Sequence, residues 1–200
     1  MKRKVRDIVA NILQDQGVKH IFGHTGDNIL AMWQSIKNTT INPIFNKTEF
    51  GAAFMADGYS RTTEKLSVIL TTGGPGATNL ATPFATAYLD SIPLLAISGA
   101  TVTSDVGKNA FQEGSGRGRS IEQRLCLKAV CKSAMLASSP EAVEAMLLDG
   151  IREACTGRPG PVYIEVPSDF WDIKVNSNYK PNHLYRNPTL PEVNHIDGQI

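Results

Sequence analysis

The sequence LSVILTTGGPGATN at residues 66–79 decides the fold class, because a largely apolar run passes directly into a glycine-rich turn. Residues 66–72 show no regular alternation of apolar and polar side chains, which predicts a strand covered on both faces. Residues 73–79 contain three glycines and a proline and predict a tight turn, after which residues 80–88 have a helical pattern. A buried strand that leads through such a turn into a helix is typical of an α/β protein.

Strands and helices alternate in the same way on both sides of this stretch. Further strands are predicted at residues 18–22, 43–46, 93–98, 132–136 and 161–166. Helices are predicted at residues 5–13, 29–36, 121–127 and 139–151, and a further one begins at Glu49. The pattern predicts a doubly wound parallel sheet with helices on both faces.

Composition excludes several classes of protein. The chain has 200 residues, 42% of them hydrophobic, and a net charge of +1, which suits a soluble domain and not a nucleic-acid or anionic-membrane partner. The basic N-terminus is interrupted at Asp7 and Asn11, so we predict no secretory signal and a cytoplasmic location. Cys126, Cys131 and Cys155 lack metal-ligand spacing, so we expect buried, reduced thiols and no metal site.

In doubly wound folds, ligands bind beyond the carboxyl ends of the strands. Four segments that are distant in sequence follow predicted strands here, and we expect them to meet at one edge of the sheet. These segments are residues 24–27, Glu49, residues 72–79 and the irregular stretch 101–118. The edge that they form is the predicted ligand site.

Two explanations fit Glu49, the first residue of a helix that continues with Gly51, Ala52 and Ala53. A carboxylate at a helix start complements the positive end of the helix dipole. A carboxyl group beside an apolar helix face can also retain and exchange a proton near neutrality. Residue chemistry alone favours the first explanation, because structural carboxylates outnumber catalytic ones.

Two glycine-rich segments also have competing explanations. Residues 72–79 lack the Gly-Lys-Ser/Thr of a Walker loop and the G-x-G-x-x-G fingerprint, and they suit either a tight turn or close backbone approach to a ligand. Residues 114–119, Gly-Ser-Gly-Arg-Gly-Arg, are too short, in too neutral a chain, for a nucleic-acid segment, and a mobile loop near the site is favoured.

Six motifs recur in an order that is typical of one family. They lie at residues 17–27, 49–61, 72–79, 88–93, 111–113 and 156–162. Together they resemble the N-terminal, pyrimidine-binding domain of the thiamine diphosphate enzymes related to acetolactate synthase, pyruvate oxidase and the 2-oxo acid decarboxylases. The resemblance covers residues 4–175. It implies a thiamine-diphosphate-dependent enzyme that decarboxylates a 2-oxo acid and protonates, oxidises or carboligates the product.

The resemblance also implies roles for particular residues. The family's matching glutamate hydrogen-bonds a ring nitrogen of the cofactor's aminopyrimidine, which makes Glu49 a catalytic residue, and Gln112 would face the reacting carbon. The cofactor-binding residues it implies, besides Glu49, are Thr25, Gly26, Thr72, Pro75 and Asn79. Residues implied near the substrate are His24, Asp27 and Phe111, although a lone loop histidine is more often incidental.

Some positions depart from the family pattern and leave the 2-oxo acid open. Thr25 stands where proline is common, and Thr48 stands where many members have histidine. Asp27 resembles the decarboxylases and oxidases, whereas residues 111–113, Phe-Gln-Glu, resemble the synthases.

The family binds Mg²⁺ and the diphosphate in a second domain marked by Gly-Asp-Gly, which does not occur in this sequence. We therefore expect residues 1–175 to be the pyrimidine-binding domain and residues 176–200 to be a linker and the start of a truncated next domain. Mg²⁺ would be bound by the absent domain, and an FAD in an absent middle domain stays open. A homo-oligomer, with the site at the subunit interface and no activity for this piece alone, is implied.

Two alternatives remain from the sequence. The chain could be a separate pyrimidine-binding subunit of a two-chain decarboxylase, although the segment after His195 argues against a complete small subunit. It could also be a catalytically dead domain retained for binding or assembly, as the departures at Thr25 and Thr48 suggest.

Overall fold

The computed structural model describes residues 2–181, which form a six-stranded parallel sheet and a two-stranded antiparallel ribbon. The strands are β1 Lys2–Lys4, β2 His20–Gly23, β3 Asn42–Phe45, β4 Ser67–Thr71, β5 Leu94–Ala100, β6 Ser133–Leu136, β7 Val162–Pro167 and β8 Lys174–Asn176. The helices are α1 Val5–Asp15, α2 Leu30–Ile36, α3 Glu49–Thr63, α4 Pro75–Thr78, α5 Ala81–Leu89, α6 Gln123–Lys128 and α7 Ala142–Cys155. Short 3-10 helices lie at Asp27–Ile29, Thr103–Asp105 and Ser168–Phe170.

The parallel sheet has the order β3-β2-β4-β5-β7-β6, and every neighbouring pair in it is parallel. Successive residues of β4 point to opposite faces, so Val68 and Leu70 join the core beneath α1, α2 and α7, while Ile69 joins the core beneath α3, α5 and α6. Both faces of the sheet are therefore covered, which explains why its strands are apolar without alternation. The predicted doubly wound α/β fold is confirmed.

Helix α3 begins where its sequence supplies a cap. The Thr48 hydroxyl accepts a hydrogen bond from Gly51 N at 3.1 Å, which satisfies one of the free amides at the helix start. The small side chains of Ala52, Ala53 and Ala56 are fully buried against the sheet, so the helix axis can approach the strands closely. This packing fixes the position of Glu49 at the carboxyl edge of the sheet.

The sequence did not predict the ribbon formed by β1 and β8. Lys2 pairs with Asn176 and Lys4 pairs with Lys174 in antiparallel register. Both strands have three residues and are mostly polar, so neither has a hydrophobic pattern to detect. The element predicted after His195 lies outside the described residues. No helix among residues 2–181 is long and apolar enough to span a membrane.

The expectation of three buried thiols is wrong for one cysteine. Cys131 and Cys155 are buried, whereas Cys126 is exposed, and all three are free thiols. Burial raises the pKa of both Cys131 and Cys155 to about 12. The described residues contain no group of three or more metal-ligating side chains.

Arg158 lies in the segment before strand β7 and contacts the end of α5. Its guanidinium donates hydrogen bonds to Ser91 Oγ and to the carbonyls of Tyr88 and Leu89, at 2.8–2.9 Å. The Arg158 guanidinium carbon also lies 5.2 Å from the centre of the Tyr88 ring. These contacts satisfy free carbonyls at a helix C-terminus and favour a positive charge there.

We predict that Arg158→Lys lowers the free energy of unfolding by about 1–2 kcal/mol, because one ammonium cannot reproduce the fork of donors that serves three acceptors. Urea denaturation measures the change. Arg152→Lys is the matched control, because Arg152 is also exposed and, within residues 2–181, its guanidinium pairs only with Asp149. The role of Arg158 is refuted if both substitutions change stability equally.

We also predict that iodoacetamide at pH 8 modifies only Cys126 in the native protein, because thiolates react and the two buried thiols stay protonated. Intact-mass spectrometry would then show one adduct, and three after unfolding in guanidinium chloride. Rapid labelling of a second thiol in the folded protein would contradict this burial.

Candidate functional site

The candidate site lies where the strand order reverses. The chain passes from β2 outward to β3 and then returns to the other side of β2 with β4. Strand β2 ends at Gly23 and strand β4 ends at Thr71, and the segments that follow them contact each other and the start of α3; we call this junction the cleft. Such a reversal is where open α/β sheets bind ligands.

Glu49 supplies a buried carboxyl group to this cleft. The residue is only 9% exposed, and its Oε2 accepts a hydrogen bond from Asn79 Nδ2 at 3.0 Å. A Cβ atom on Gly76 would lie 3.2 Å from Glu49 Oε1, so the turn after β4 approaches this oxygen closely. Asn79, which hydrogen-bonds to the carboxyl, and Gly76, which approaches it closely, both come from the glycine-rich stretch.

Gly26 and Thr72 bring the first and third turns into contact. A Cβ atom on Gly26 would lie 2.5 Å from Thr72 Cβ, so only glycine permits this approach. The Thr72 hydroxyl donates a hydrogen bond to Gln112 Oε1 at 3.1 Å. Gln112 has a positive φ of 56°, an uncommon conformation for a residue other than glycine. The loop that carries Gln112 is therefore held against the end of β4.

Gly74 needs its glycine for both conformation and space. Its φ of 60° and ψ of −122° lie outside the regions that L-residues adopt, and a Cβ atom would lie 2.8 Å from Gln112 O. The amide of Gly74 donates to Oε1 of the fully buried Gln123, whose Nε2 donates to the Tyr163 hydroxyl at 3.0 Å. Gln123 therefore anchors the glycine turn to strand β7.

The structure brings together most of the residues predicted for the cofactor. Glu49, Asn79, Thr72, Gln112 and Gly26 meet around the cleft through the contacts described above, and Pro75 begins α4 directly after Gly74. The four converging segments predicted from the sequence do meet at one edge. Thr25 is exposed beside Gly26.

The three residues expected near the substrate are placed less centrally. His24 Nδ1 donates to Asn46 O at 2.8 Å, Asp27 is exposed at the start of a 3-10 helix, and Phe111 is 79% exposed. Within residues 2–181, none of the three hydrogen-bonds to Glu49 or Gln112. Their proximity to a substrate stays a prediction.

Sequence reasoning missed two residues that shape the cleft. Gln123 contacts Gly74 across 49 positions, and no local pattern marks such a pair. Asn28 lies against Gly99, where a Cβ atom would be 2.2 Å from Asn28 O, and the same carbonyl accepts a hydrogen bond from Trp171 Nε1 at 3.0 Å. A glycine within the apolar strand β5 was the available signal, because such a glycine marks close backbone approach.

Comparison with known proteins shows the family to which this chain belongs. Residues 3–117 match the family described as thiamine pyrophosphate enzyme, N-terminal TPP binding domain. The match covers more than half of the chain, so the chain belongs to this family. The resemblance inferred from the six motifs is confirmed.

Curated proteins similar to this chain include acetolactate synthases. The large subunit from Buchnera aphidicola subsp. Schizaphis graminum is 36% identical over 198 residues, which cover 97% of this chain and 33% of that protein. The isozyme 3 large subunit from Escherichia coli K12 is 39% identical over 164 residues, which cover 82% of this chain and 27% of that protein. The chain thus spans about a third or less of the length of these relatives.

A solved structure supports the fold independently. The thiamine diphosphate-dependent 4-hydroxybenzoylformate decarboxylase of Rhodococcus jostii RHA1 superposes with a TM-score of 0.78 over 85% of this chain and 31% of that chain. The sequence identity is 22%, so this similarity shows the fold alone.

We predict that Gln123→Leu lowers the free energy of unfolding by about 1–3 kcal/mol, because it leaves the Gly74 amide buried without its acceptor and removes one donor from the buried Tyr163 hydroxyl. Thermal and urea unfolding measure the effect. Gln34→Leu is the matched control, since Gln34 is exposed on α2 and loses only a surface hydrogen bond from Arg6, and it should change stability by about 0.5 kcal/mol. Equal effects of the two substitutions would refute the anchoring role of Gln123.

Proposed function

We propose that this chain supplies the aminopyrimidine half of a thiamine diphosphate site, in an acetolactate synthase-like enzyme that acts on a 2-oxo acid. The observation that supports the proposal most strongly is the Glu49 carboxyl, buried at the reversal of strand order and bounded by a glycine turn. The acetolactate synthase relatives support the reaction class.

The residues in the cleft fit a flat, nitrogen-containing ring. Gly26 packs on Thr72 and Gly74 packs on Gln112, so the turns that border the site lie close together. Glu49 at the start of α3 offers a carboxyl, and Asn79 and Thr72 of the stretch 72–79 offer an amide and a hydroxyl; hydrogen-bonding groups of this kind fix the orientation of a ring. Thr25 and Pro75 would complete the rim of the site.

In this proposal Glu49 acts through one oxygen. Asn79 Nδ2 donates to Oε2, so Oε1 is the oxygen that carries the proton when the carboxyl is neutral. A neutral Glu49 can donate that proton to a ring nitrogen and take it back, which is general acid–base work. Thiamine diphosphate, when bound, supplies the nucleophilic thiazolium carbon and the electron sink that decarboxylation of a 2-oxo acid requires.

Gln112 is proposed to act on the reacting group. Its Oε1 accepts from Thr72, so the side-chain amide NH₂ is the donor that remains for a substrate oxygen. Gln112, with its positive φ, contacts Gly74. The Gly74 amide in turn donates a hydrogen bond to Gln123 Oε1. His24, Asp27 and Phe111 are proposed as residues near the substrate.

The proposal also covers the domain organisation, the diphosphate and metal site, and the oligomeric state. We propose that residues 1–175 are the pyrimidine-binding domain and that residues 176–200 lead towards a further domain. Mg²⁺ and the diphosphate would be bound by aspartate and asparagine oxygens of another domain, and FAD by a middle domain where one is present. A homo-oligomer in the cytoplasm, with the cleft at a subunit interface, completes the proposal.

The test is hydrogen–deuterium exchange at the thiazolium carbon, measured on the natural full-length protein with thiamine diphosphate and Mg²⁺. We predict that Glu49→Gln slows exchange by about 10²-fold or more, because the amide cannot shuttle a proton. Glu141→Gln, which alters an exposed carboxyl next to α7, should exchange at the wild-type rate. Wild-type exchange in the Glu49 variant would refute the proposal, and absence of cofactor binding by the wild type at millimolar concentrations would favour a dead domain.

A further inference from the structure

A second cavity lies at the same edge of the sheet, beyond β5 from the Glu49 cleft. Its volume is about 460 Å³, and it opens between the ends of β5, β6 and β7 and the loop that precedes α6. This volume is in the range of small-molecule sites. Gln123 separates the two sites, because it bonds Gly74 on the cleft side and Glu165, which lines the cavity.

One buried hydroxyl in this cavity has no partner. Thr101 is 7% exposed and lines the cavity, and its Oγ1 makes no hydrogen bond within residues 2–181. Leaving a buried hydroxyl unpaired costs free energy, so such an atom in a native fold calls for an explanation. A ligand that hydrogen-bonds to Thr101 would provide one.

Charged side chains surround the same space. Arg117 and Arg124 line the cavity together with Glu122 and Glu165. Glu122 is only loosely paired, with Oε1 3.9 Å from Arg124 Nε. The pKa of Glu165 is raised to about 7, first by burial and then by the nearby Glu122 charge, while hydrogen bonds from Gln123 and Tyr163 and the Arg124 charge act in the opposite direction. Part of the Glu165 population is neutral at pH 7, so positive charge exceeds negative charge in the cavity.

The remaining walls are apolar. They are formed by the side chains of Val106, Leu136, Ala137, Pro167 and Phe170. An apolar chamber that also contains two guanidinium groups suits a ligand with an anionic end and an apolar body, because guanidinium binds a carboxylate in a bidentate manner.

We propose that this cavity is a binding site for a small monocarboxylate with an apolar body, whose carboxylate is held by Arg124, Arg117 and the Thr101 hydroxyl. The apolar body packs on Phe170, Leu136 and their neighbours. The site is separate from the Glu49 cleft and does not depend on the function proposed for that cleft.

Binding should be linked to pH through Glu165. The groups that face it are Tyr163 on its own strand, Gln123, Glu122 and Arg124 at the start of α6, and Arg117 of the loop; its strand neighbours Ser98 and Leu136 carry no charge. A bound carboxylate favours the protonated form of Glu165, so binding takes up a proton and strengthens as pH falls. Between pH 8 and pH 6 the gain is up to about tenfold for a group that titrates near pH 7.

Isothermal titration calorimetry of the full-length protein with phenylacetate tests the site. We expect phenylacetate to bind, with phenylacetamide and inorganic phosphate at least tenfold weaker, because the first lacks the charge and the second the apolar body. Arg124→Gln should weaken phenylacetate binding by about tenfold or more, whereas Lys108→Gln, which removes an exposed charge from the loop that contains Arg117, should not.

Two further variants separate binding from folding. Thr101→Val should weaken phenylacetate binding without lowering the melting temperature, because it removes a hydroxyl that has no partner. Glu165→Gln should bind phenylacetate with no dependence on pH between 6 and 8. The proposal is overturned if phenylacetate does not bind, if phosphate or phenylacetamide binds equally well, or if Thr101→Val and Arg124→Gln bind like the wild type.

Discussion

The close approach of backbones at the carboxyl edge of the sheet is the constraint on which this structure depends. Gly26 packs on Thr72, Gly74 packs on the carbonyl of Gln112, and Gly99 packs on the carbonyl of Asn28, at distances that exclude a Cβ atom. The absence of a side chain at each of these three glycines therefore allows the loops to pack directly against one another. Because the loops come from different strands, their contact positions a carboxyl, a hydroxyl and two amide side chains around one cleft. The glycines that permit this packing are therefore as necessary to the site as the side chains that carry its functional groups.

The position of Glu49 also depends on close packing, in this case the packing of helix α3 against the sheet. Helix α3 is capped by Thr48 and packs through Ala52, Ala53 and Ala56, so it lies close to the sheet and begins at the sheet's edge. A helix with larger side chains at these positions would stand away from β2 and β4, and its first carboxyl would no longer reach Asn79. The dipole-complementing role that residue chemistry favoured for Glu49 and a role in the cleft are compatible. The N-terminus of α3, whose dipole stabilises a carboxylate, is also the part of the helix that faces the glycine turn.

Local signals predicted the strands, the helices and the convergence of the turns, because apolar runs and glycines act within a few residues. The contacts of Gln123 lie beyond such reasoning, since its partners Gly74 and Tyr163 are 49 and 40 positions away. The ribbon of β1 and β8 was missed for a related reason: two short polar strands gain their pairing only after the fold brings the chain ends together. Exposure of Cys126 was mispredicted because it depends on which face α6 presents, and a six-residue helix has too few apolar positions to define one. Site roles came from the ordered motifs, and the structure adds the contacts that hold those residues together.

The strand order also explains why one edge can carry two chambers. Strand β7 lies between β5 and β6, so the order reverses a second time, and the ends of these three strands border the space around Thr101 and Glu165. Gln123 belongs to the wall between the chambers: its carbonyl holds Gly74, its amide holds Tyr163, and it also hydrogen-bonds to Glu165. Two successive hydrogen bonds through Gln123 therefore connect Glu165 with the glycine turn. Because Gly74 supports the uncommon backbone of Gln112, the proton on Glu165 and the geometry of Gln112 belong to one connected network.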